Sequence, residues 1–153
     1  MEQDLSKVEP LVYESHIGVP YFWWAGDTAT RFFETIAKQN KLAATKCGQC
    51  GKVFVPPRKT CPDCFEKADQ WVELSGRGRV VSFTVVRRAR RALGDAKLPV
   101  IFALIRPDGA DTALLHKLSG AEPGEVRVGM EVVPVFADEP QGNILDILHF
   151  TPA

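Results

Sequence analysis

The four cysteines of this chain have the residue type and the spacing of a metal site. Two residues separate Cys47 from Cys50 and Cys61 from Cys64, and ten residues separate the two pairs. Each short spacing lets one tight turn aim two sulfurs at a common point, and four such sulfurs make a tetrahedron with Zn–S bonds of about 2.3 Å. The spacing predicts a bound zinc ion. Iron is the alternative, because sulfur tetrahedra also hold iron.

Four protein ligands fill the coordination sphere of zinc, so we expect the ion to be structural and not catalytic. Disulfides are the other use that the cysteines could have. Residues 1–5 lack the basic start and apolar stretch of a secretory signal, and a reducing cytoplasm disfavours disulfides. The sequence therefore predicts a soluble, cytoplasmic protein whose thiols are committed to a metal.

The sequence predicts no catalytic residue. The three histidines, His16, His116 and His149, lie far apart, and none belongs to a recognisable catalytic motif. Because the metal uses all four thiols, no cysteine remains to act as a nucleophile. We expect no autonomous enzymatic activity.

Arginines form a second group that could bind a ligand. Four of them lie in the run 87–91 and two more precede it: Arg87, Arg88, Arg90, Arg91, Arg77 and Arg79. A guanidinium matches phosphate oxygens in bidentate geometry, so these residues are candidates for binding phosphate groups. The alternative is a solvated loop that keeps a strand edge soluble.

Charge is distributed unevenly along the chain, although the formal net charge is zero. Residues 77–97 carry seven bases and one acid, whereas residues 108–153 carry two bases and eight acids. This asymmetry indicates an anionic partner for the basic segment, or else pairing of the two segments across the fold.

The rest of the sequence supplies the elements that must position these groups. Residues 1–20 lack periodicity and predict an extended arm. Residues 27–40 predict a helix with Asp27 as its N-cap, Asn40 at its end and an apolar stripe that includes Phe32, Phe33 and Ile36. An aromatic cluster, residues 21–24, precedes this helix. Together with the stripe it predicts a protein-partner surface; the alternative is that the helix packs on its own ribbon.

Beyond residue 70 the pattern becomes that of β-strands. Segments rich in Val, Ile and Phe are separated by Gly, Pro and Asp, and they predict strands at 71–74 leading into 79–87, then 100–106, 112–118, 130–136 and 144–150. About five strands without a crossover helix predict a small antiparallel barrel or sandwich.

The order and spacing of these motifs resemble the acyl-CoA-associated zinc-ribbon and OB-fold proteins known as domain of unknown function 35. The matching segments are residues 47–51, 56–64, 74–80, 82–86, 99–105, 128–132 and 150–152. The resemblance extends from the predicted helix to the C-terminus. Two features depart from the family pattern. Phe65 stands where a glycine often follows the second cysteine pair, and the arginine run is richer than usual.

The resemblance implies a mainly β fold with an N-terminal helix, a rubredoxin-like zinc ribbon and an OB-fold barrel. The chain then divides into an arm and helix at 1–42, a zinc ribbon at 43–70 and an OB-fold domain at 71–153. The resemblance also implies a non-catalytic subunit of a thiolase-superfamily complex that acts on acyl-CoA thioesters. The arginines would hold the phosphates of coenzyme A. The acyl chain would be aromatic or otherwise bulky, as for a benzoylsuccinyl-CoA-type thiolase.

A nucleic-acid-binding module is the alternative function, because OB barrels and zinc ribbons both serve that role and the arginine run suits it. The zero net charge, the pI near 6.8 and the acidic C-terminal segment argue against it. The longest apolar runs, 80–86 and 99–105, are too short to cross a membrane. We therefore expect a thiolase-fold protein partner and an acyl-CoA ligand, with no nucleic acid and no membrane.

Overall fold

The computed structural model describes residues 8–88 and 97–153. Within them one helix precedes eight strands: α1 Asp27–Gln39, β1 Ala43–Lys46, β2 Val53–Phe54, β3 Gln70–Glu73, β4 Gly78–Val86, β5 Val100–Pro107, β6 Leu114–Leu118, β7 Glu131–Phe136 and β8 Ile147–Pro152. Strands β2-β1-β3 form a three-stranded sheet, and β4-β5-β6-β8-β7 form a closed barrel. The predicted fold class, a ribbon followed by an OB-like barrel with one helix before them, is confirmed.

Helix α1 occupies the predicted residues and differs only at its cap. Gly26 is the N-cap, and Asp27 lies in the first turn, where a carboxylate suits the positive end of the helix. Asn40 ends the helix in the left-handed conformation, and its N–H donates to the carbonyl of Ile36 at 3.0 Å. Phe32 and Ile36 are buried, so the apolar stripe faces the core.

Strand β3 belongs to the ribbon sheet and not to the barrel. It pairs antiparallel with β1, with Trp71 opposite Thr45. The guanidinium of Arg31 lies 4.4 Å from the centre of the Trp71 ring, which fastens helix α1 to the same sheet. The chain leaves the sheet at Leu74, whose N–H donates to the carbonyl of Leu42 at 2.9 Å. The ribbon sheet therefore extends past residue 70.

The barrel closes through two short contacts between strands. β4 pairs with β5 along its length but with β7 only at Gly78 and Arg79. At Gly78 a Cβ atom would lie 2.9 Å from the carbonyl oxygen of Arg106, so this crossing requires glycine. β6 and β8 meet as a parallel pair at Leu118 and Phe150. The expectation of a wholly antiparallel barrel is wrong at this one pair.

Strand β6 begins at Leu114, two residues later than predicted, because the residues before it bond to the ribbon. Val53 and Asp111 exchange hydrogen bonds: the Val53 N–H donates to the Asp111 carboxylate at 2.8 Å, and the Asp111 N–H to the Val53 carbonyl at 2.9 Å. The Thr112 hydroxyl accepts from the Val55 N–H at 2.7 Å and donates to the Val55 carbonyl at 2.8 Å. These bonds fasten the edge of β2 to the barrel.

Residues 144–146, predicted as the start of the last strand, form a 3₁₀ helix instead, Ile144–Asp146. The Asp146 side chain is buried, and its carboxylate accepts hydrogen bonds from the backbone N–H groups of Gln141, Gly142 and Asn143 at 2.7, 2.8 and 3.1 Å. Local capping therefore replaces sheet pairing at this point.

The helix, the ribbon and the barrel share one hydrophobic core. It runs from the helix through the ribbon strands to the barrel interior and includes Phe32, Ile36, Leu42, Val53, Val55, Leu74, Val80, Ile105 and Phe150. Burial of this continuous apolar surface holds the three parts together. Among the described residues, no helix has the length and apolar character needed to cross a lipid bilayer.

The buried Asp146 carboxylate gives a testable contribution to stability. Burial raises its pKa, but the three backbone donors outweigh burial and hold the pKa below its usual range. The stabilisation is therefore fully present above the pKa of the unfolded carboxyl and is lost only as pH falls through the lower pKa of the folded state. We expect Asp146→Asn to lower the free energy of unfolding by about 2 kcal/mol near neutral pH, measured by urea unfolding.

The difference between wild type and Asp146→Asn should stay constant from about pH 8 to about pH 5, because both limits lie above the pKa of the unfolded carboxyl and therefore also above the lower folded pKa. Asp138→Asn, at an exposed position in the same loop, is the control and should change stability by less than about 0.5 kcal/mol. A difference that disappears between neutral pH and about pH 5 would contradict a lowered pKa.

Candidate functional site

Two tight turns, the first knuckle (residues 47–51) and the second knuckle (residues 61–65), present the four cysteines. In the first, the N–H of Gly51 donates to the carbonyl of Cys47 at 3.0 Å; in the second, the N–H of Phe65 donates to the carbonyl of Cys61 at 3.0 Å. The fifth residue of each knuckle has a positive φ, 76° at Gly51 and 59° at Phe65. The two knuckles are therefore built on the same backbone turn.

The four sulfurs converge as the spacing predicts. All four lie within 4.8 Å of one another, and the sulfurs of Cys50 and Cys61 are 3.6 Å apart. A tetrahedron with Zn–S bonds of about 2.3 Å has edges of about 3.8 Å, so the cluster fits a single zinc ion. None of the four cysteines forms a disulfide.

The electrostatics of the cluster also favour a bound cation. The backbone N–H of Cys50, with that of Gln49, points at the Cys47 sulfur and lowers the Cys47 pKa to about 7 although burial opposes it. By contrast, the contact with the Cys50 sulfur, burial and the nearby Cys61 raise the pKa of Cys64 to about 12. Four thiolates this close repel one another, and a divalent ion removes that repulsion.

The surroundings of the sulfurs hold the two knuckles together. Cys47 and Cys61 are fully buried against Phe54 and Ala68 in a small core of their own. On the surface, Lys52 after the first knuckle forms an ion pair with Asp63 of the second. With four sulfur ligands no coordination position stays open, so the site suits a structural ion.

The structure separates the predicted phosphate-binding arginines into two places. Arg77 and Arg79 flank the start of β4, whereas Arg87 and Arg88 follow its end. A nine-residue strand separates the two pairs by about 25–30 Å. Arg79 is also paired with Glu131, with its Nη2 2.6 Å from the Glu131 Oε1. One phosphate group cannot reach both pairs.

Basic residues do gather at the end of the β4–β5 hairpin where Arg87 and Arg88 are exposed. Lys97 and Lys117, together with one acid, Glu122, line a cleft of about 270 Å³ beside the start of β5. Lys117 reaches this end because it pairs with Phe102 across β5 and β6, a register that the charge pattern did not reveal. The predicted Arg90 and Arg91 lie outside the described residues.

His116 and His149 lie on neighbouring barrel strands, β6 and β8. His116 packs edge-on against Phe150, with ring centres 5.8 Å apart, and its Nδ1 is buried without a hydrogen-bond partner. Burial lowers the pKa of both His116 and His149, so both are neutral near pH 7. Among residues 8–88 and 97–153, the four cysteines are the one cluster of potential metal ligands.

The N-terminal arm is a feature that the sequence revealed only in part. The aromatic cluster at 21–24 and the apolar stripe of helix α1 were predicted to form a partner surface together. The prediction is wrong for the stripe, because Phe32 is buried and Phe33 packs against the core. The exposed apolar segment instead begins well before residue 21. Ten large apolar side chains between residues 8 and 24 are each 64% or more exposed: Val8, Leu11, Val12, Tyr13, Ile17, Val19, Tyr21, Phe22, Trp23 and Trp24. The signal available in the sequence was the high apolar content of a segment without helical or strand periodicity.

Two family models cover the ribbon and most of the barrel. One is described as the ChsH2 rubredoxin-like zinc ribbon domain and matches residues 35–69. The other is described as the ChsH2 C-terminal OB-fold domain and matches residues 71–137. The cysteine cluster and the barrel strands β4 to β7 fall within these two ranges, and β8 follows them.

Known proteins of similar sequence include scaffold proteins and an enzyme subunit. A DUF35 domain-containing scaffold protein of Methanocaldococcus jannaschii is 31% identical over 108 residues, which are 69% of this chain and 74% of that protein. A probable enoyl-CoA hydratase alpha subunit of Thermomonospora curvata is 30% identical over 102 residues, 67% of this chain and 31% of that protein. Among solved structures, a chain of the Ltp2-ChsH2(DUF35) aldolase matches with a TM-score of 0.62 and 27% identity, covering 85% of this chain and 98% of that chain.

Loss of one ligand tests the metal site. We expect Cys61→Ser to reduce zinc from about one ion per chain to a small fraction, measured by elemental analysis, because three sulfurs bind zinc much more weakly than four. The melting temperature should fall by about 10 °C or more, since metal binding and ribbon folding are coupled. Asp63→Asn, one residue from a ligand, should keep its zinc. A Cys61→Ser protein with unchanged zinc content and melting temperature would rule out the structural metal site.

Proposed function

Because this chain belongs to the DUF35 family of zinc-ribbon and OB-fold scaffold proteins, we propose that it is a non-catalytic accessory subunit of a thiolase-superfamily complex acting on acyl-CoA thioesters. Its role is to stabilise the catalytic subunit and to help form the site for coenzyme A and the acyl chain. The observation that carries this proposal is the exposed arm.

The arm indicates a protein partner because its side chains are too apolar to remain in water. Proteins that act as monomers rarely expose apolar patches larger than a few hundred Å². Here ten large apolar residues are exposed within seventeen positions, and they include Tyr21, Trp23 and Trp24. Tyrosine and tryptophan are the residues most often found at the energetic centres of protein interfaces. The arm is therefore suited to lie on another subunit.

The chemistry of the described residues supports assigning catalysis to that other subunit. The thiols converge on a closed metal site, and the neutral His116 and His149 lack a neighbouring carboxylate. Two of the similar proteins, described as an aldolase and as an enoyl-CoA hydratase subunit, are named for catalytic assemblies. The choice of a thiolase-fold partner rests on the family resemblance.

We place the phosphates of coenzyme A at the basic end of the β4–β5 hairpin. Arg87 and Arg88 are exposed there, and Lys97 and Lys117 line the adjoining cleft. The guanidinium groups suit the phosphate oxygens, and the two ammonium groups add positive charge. Arg77 and Arg79 lie about 25–30 Å away, at the other end of β4, so we place no phosphate on them.

Co-purification tests the partnership. We expect the tagged 153-residue chain, co-expressed with thiolase-fold proteins of the same organism, to retain one of them through size-exclusion chromatography. Removal of residues 1–22 should weaken that retention at least about tenfold, because the interface loses eight of the ten exposed apolar side chains of the arm. The melting temperature and zinc content should not change, since the arm side chains are exposed in the free chain. A 153-residue chain that stays monomeric beside every such protein would contradict the proposal.

Charge reversal tests the coenzyme A site. We expect the double variant Arg87→Glu/Arg88→Glu to weaken binding of coenzyme A to the complex about tenfold or more at low salt, measured by calorimetry. The matched control is Arg77→Glu/Arg79→Glu, which changes the same charge at the opposite end of β4 and should have a much smaller effect. Equal affinities for coenzyme A in the wild type and in the Arg87/Arg88 variant would show that coenzyme A does not bind at this end of the barrel.

A further inference from the structure

The fifth residue has the same backbone conformation in both knuckles but a different residue type. Gly51 and Phe65 each follow the second cysteine of a knuckle, and each donates its N–H to the carbonyl of the first cysteine at 3.0 Å. Both residues adopt a positive φ, 76° and 59°. Glycine adopts this conformation freely, whereas a side chain with a Cβ atom is strained in it. The first knuckle thus has the residue that the turn favours, and the second has an aromatic residue that the turn disfavours.

In the free chain, packing of the Phe65 ring does not offset this strain. The side chain is 82% exposed, so it contributes little to the core. The other non-glycine residue with positive φ among the described residues is Asn40, which caps helix α1. Asparagine tolerates this conformation well, but phenylalanine does not. A strained residue that the surrounding structure holds in place points to a function at that residue.

We propose that Phe65 is a contact residue of the complex and that its ring enters an apolar pocket on the thiolase-fold subunit. This inference rests on the proposed function and adds a second contact besides the arm. The hairpin that carries Phe65 is rigid, because Thr60 and Lys67 form a β-bridge and the N–H of Ala68 donates to the carbonyl of Lys59 at 3.0 Å. A ring held on a rigid turn loses little conformational entropy on binding.

The position of the hairpin supports a protein partner. Lys59, at the base of the hairpin, lines a cleft with Trp24 and Gly26, where the arm enters helix α1. The arm and the Phe65 hairpin therefore adjoin each other, and both expose aromatic rings. Interfaces between proteins are enriched in such rings at their centres.

The charges around Phe65 disfavour a nucleic acid as the partner. Three exposed acids, Asp63, Glu66 and Asp69, lie within four residues of the ring. The bases near them are Lys67 in the same stretch, Lys59 at the base of the hairpin and Lys52, which pairs with Asp63. Exposed aromatic rings that stack on bases need positive charge nearby to hold the phosphate backbone. The hairpin offers no excess of positive charge for this purpose.

The experiment compares stability and binding in the same variants. We expect Phe65→Gly to raise the melting temperature of the free chain by about 2–4 °C, because glycine relieves the strain. The same change should weaken binding to the thiolase-fold subunit that co-purifies with the wild-type chain at least about tenfold, measured by surface plasmon resonance. Phe65→Ala keeps the strain and removes the ring, so it should weaken binding equally without raising the melting temperature. Asn40→Gly is the matched control and should leave binding unchanged.

Three results would overturn the inference. Unchanged affinity of Phe65→Gly would show that the ring does not contact the partner. A lower melting temperature of Phe65→Gly with full zinc content would show that the ring stabilises the free chain. Retention of single-stranded DNA by the wild type but not by Phe65→Ala would assign the ring to a nucleic acid. If the wild-type chain retains no thiolase-fold protein, the proposed function fails as well, whereas retention by wild type and variant alike overturns this inference alone.

Discussion

Four sulfur atoms that lie within 4.8 Å of one another form a stable arrangement of thiolates only around a cation. This constraint fixes the two knuckles face to face and therefore fixes the strands that leave them. β1 leads into the first knuckle, β2 follows it, and β3 follows the second. Once these strands are in place, the edge of β2 meets Asp111 and Thr112, and the ribbon becomes part of the same core as the barrel. The metal site thus acts on the whole fold and not only on the ribbon.

The same rigidity makes the chain suited to positioning another protein. Its hydrophobic core is buried within the chain, but two features of its surface are unfavourable in an isolated monomer. The arm exposes apolar side chains along residues 8–24, and the second knuckle holds Phe65 in a strained and exposed conformation. Both features become favourable when a second surface covers them, because burial of the rings then contributes free energy that the isolated chain lacks. The free chain has the properties of one part of a larger assembly.

The described arginines of the basic segment differ in whether they are paired with an acid. Among the residues that the structure describes, Arg79 and Glu131 form the ion pair that joins the basic segment to the acidic C-terminal segment. Pairing of the two segments across the fold, the alternative that the sequence left open, therefore applies at the start of β4. At the other end of β4, Arg87 and Arg88 are exposed beside the lysines of the cleft. A strand of about 25–30 Å thus separates the end that holds this ion pair from the end that holds Arg87 and Arg88.

The sequence by itself determined the features that depend on short spacings. A two-residue gap between cysteines forces both sulfurs to one side of a turn, so the metal site could be predicted whatever surrounded it. Helix α1 and most strands likewise follow from local periodicity. The tertiary structure decided the features that join distant residues. β3 pairs within the ribbon, and β6 starts late because Asp111 bonds to Val53, 58 positions away. The two arginine pairs lie at opposite ends of one strand. Short-range sequence patterns cannot predict such contacts, because the contacts form only when the ribbon and the barrel pack on one core.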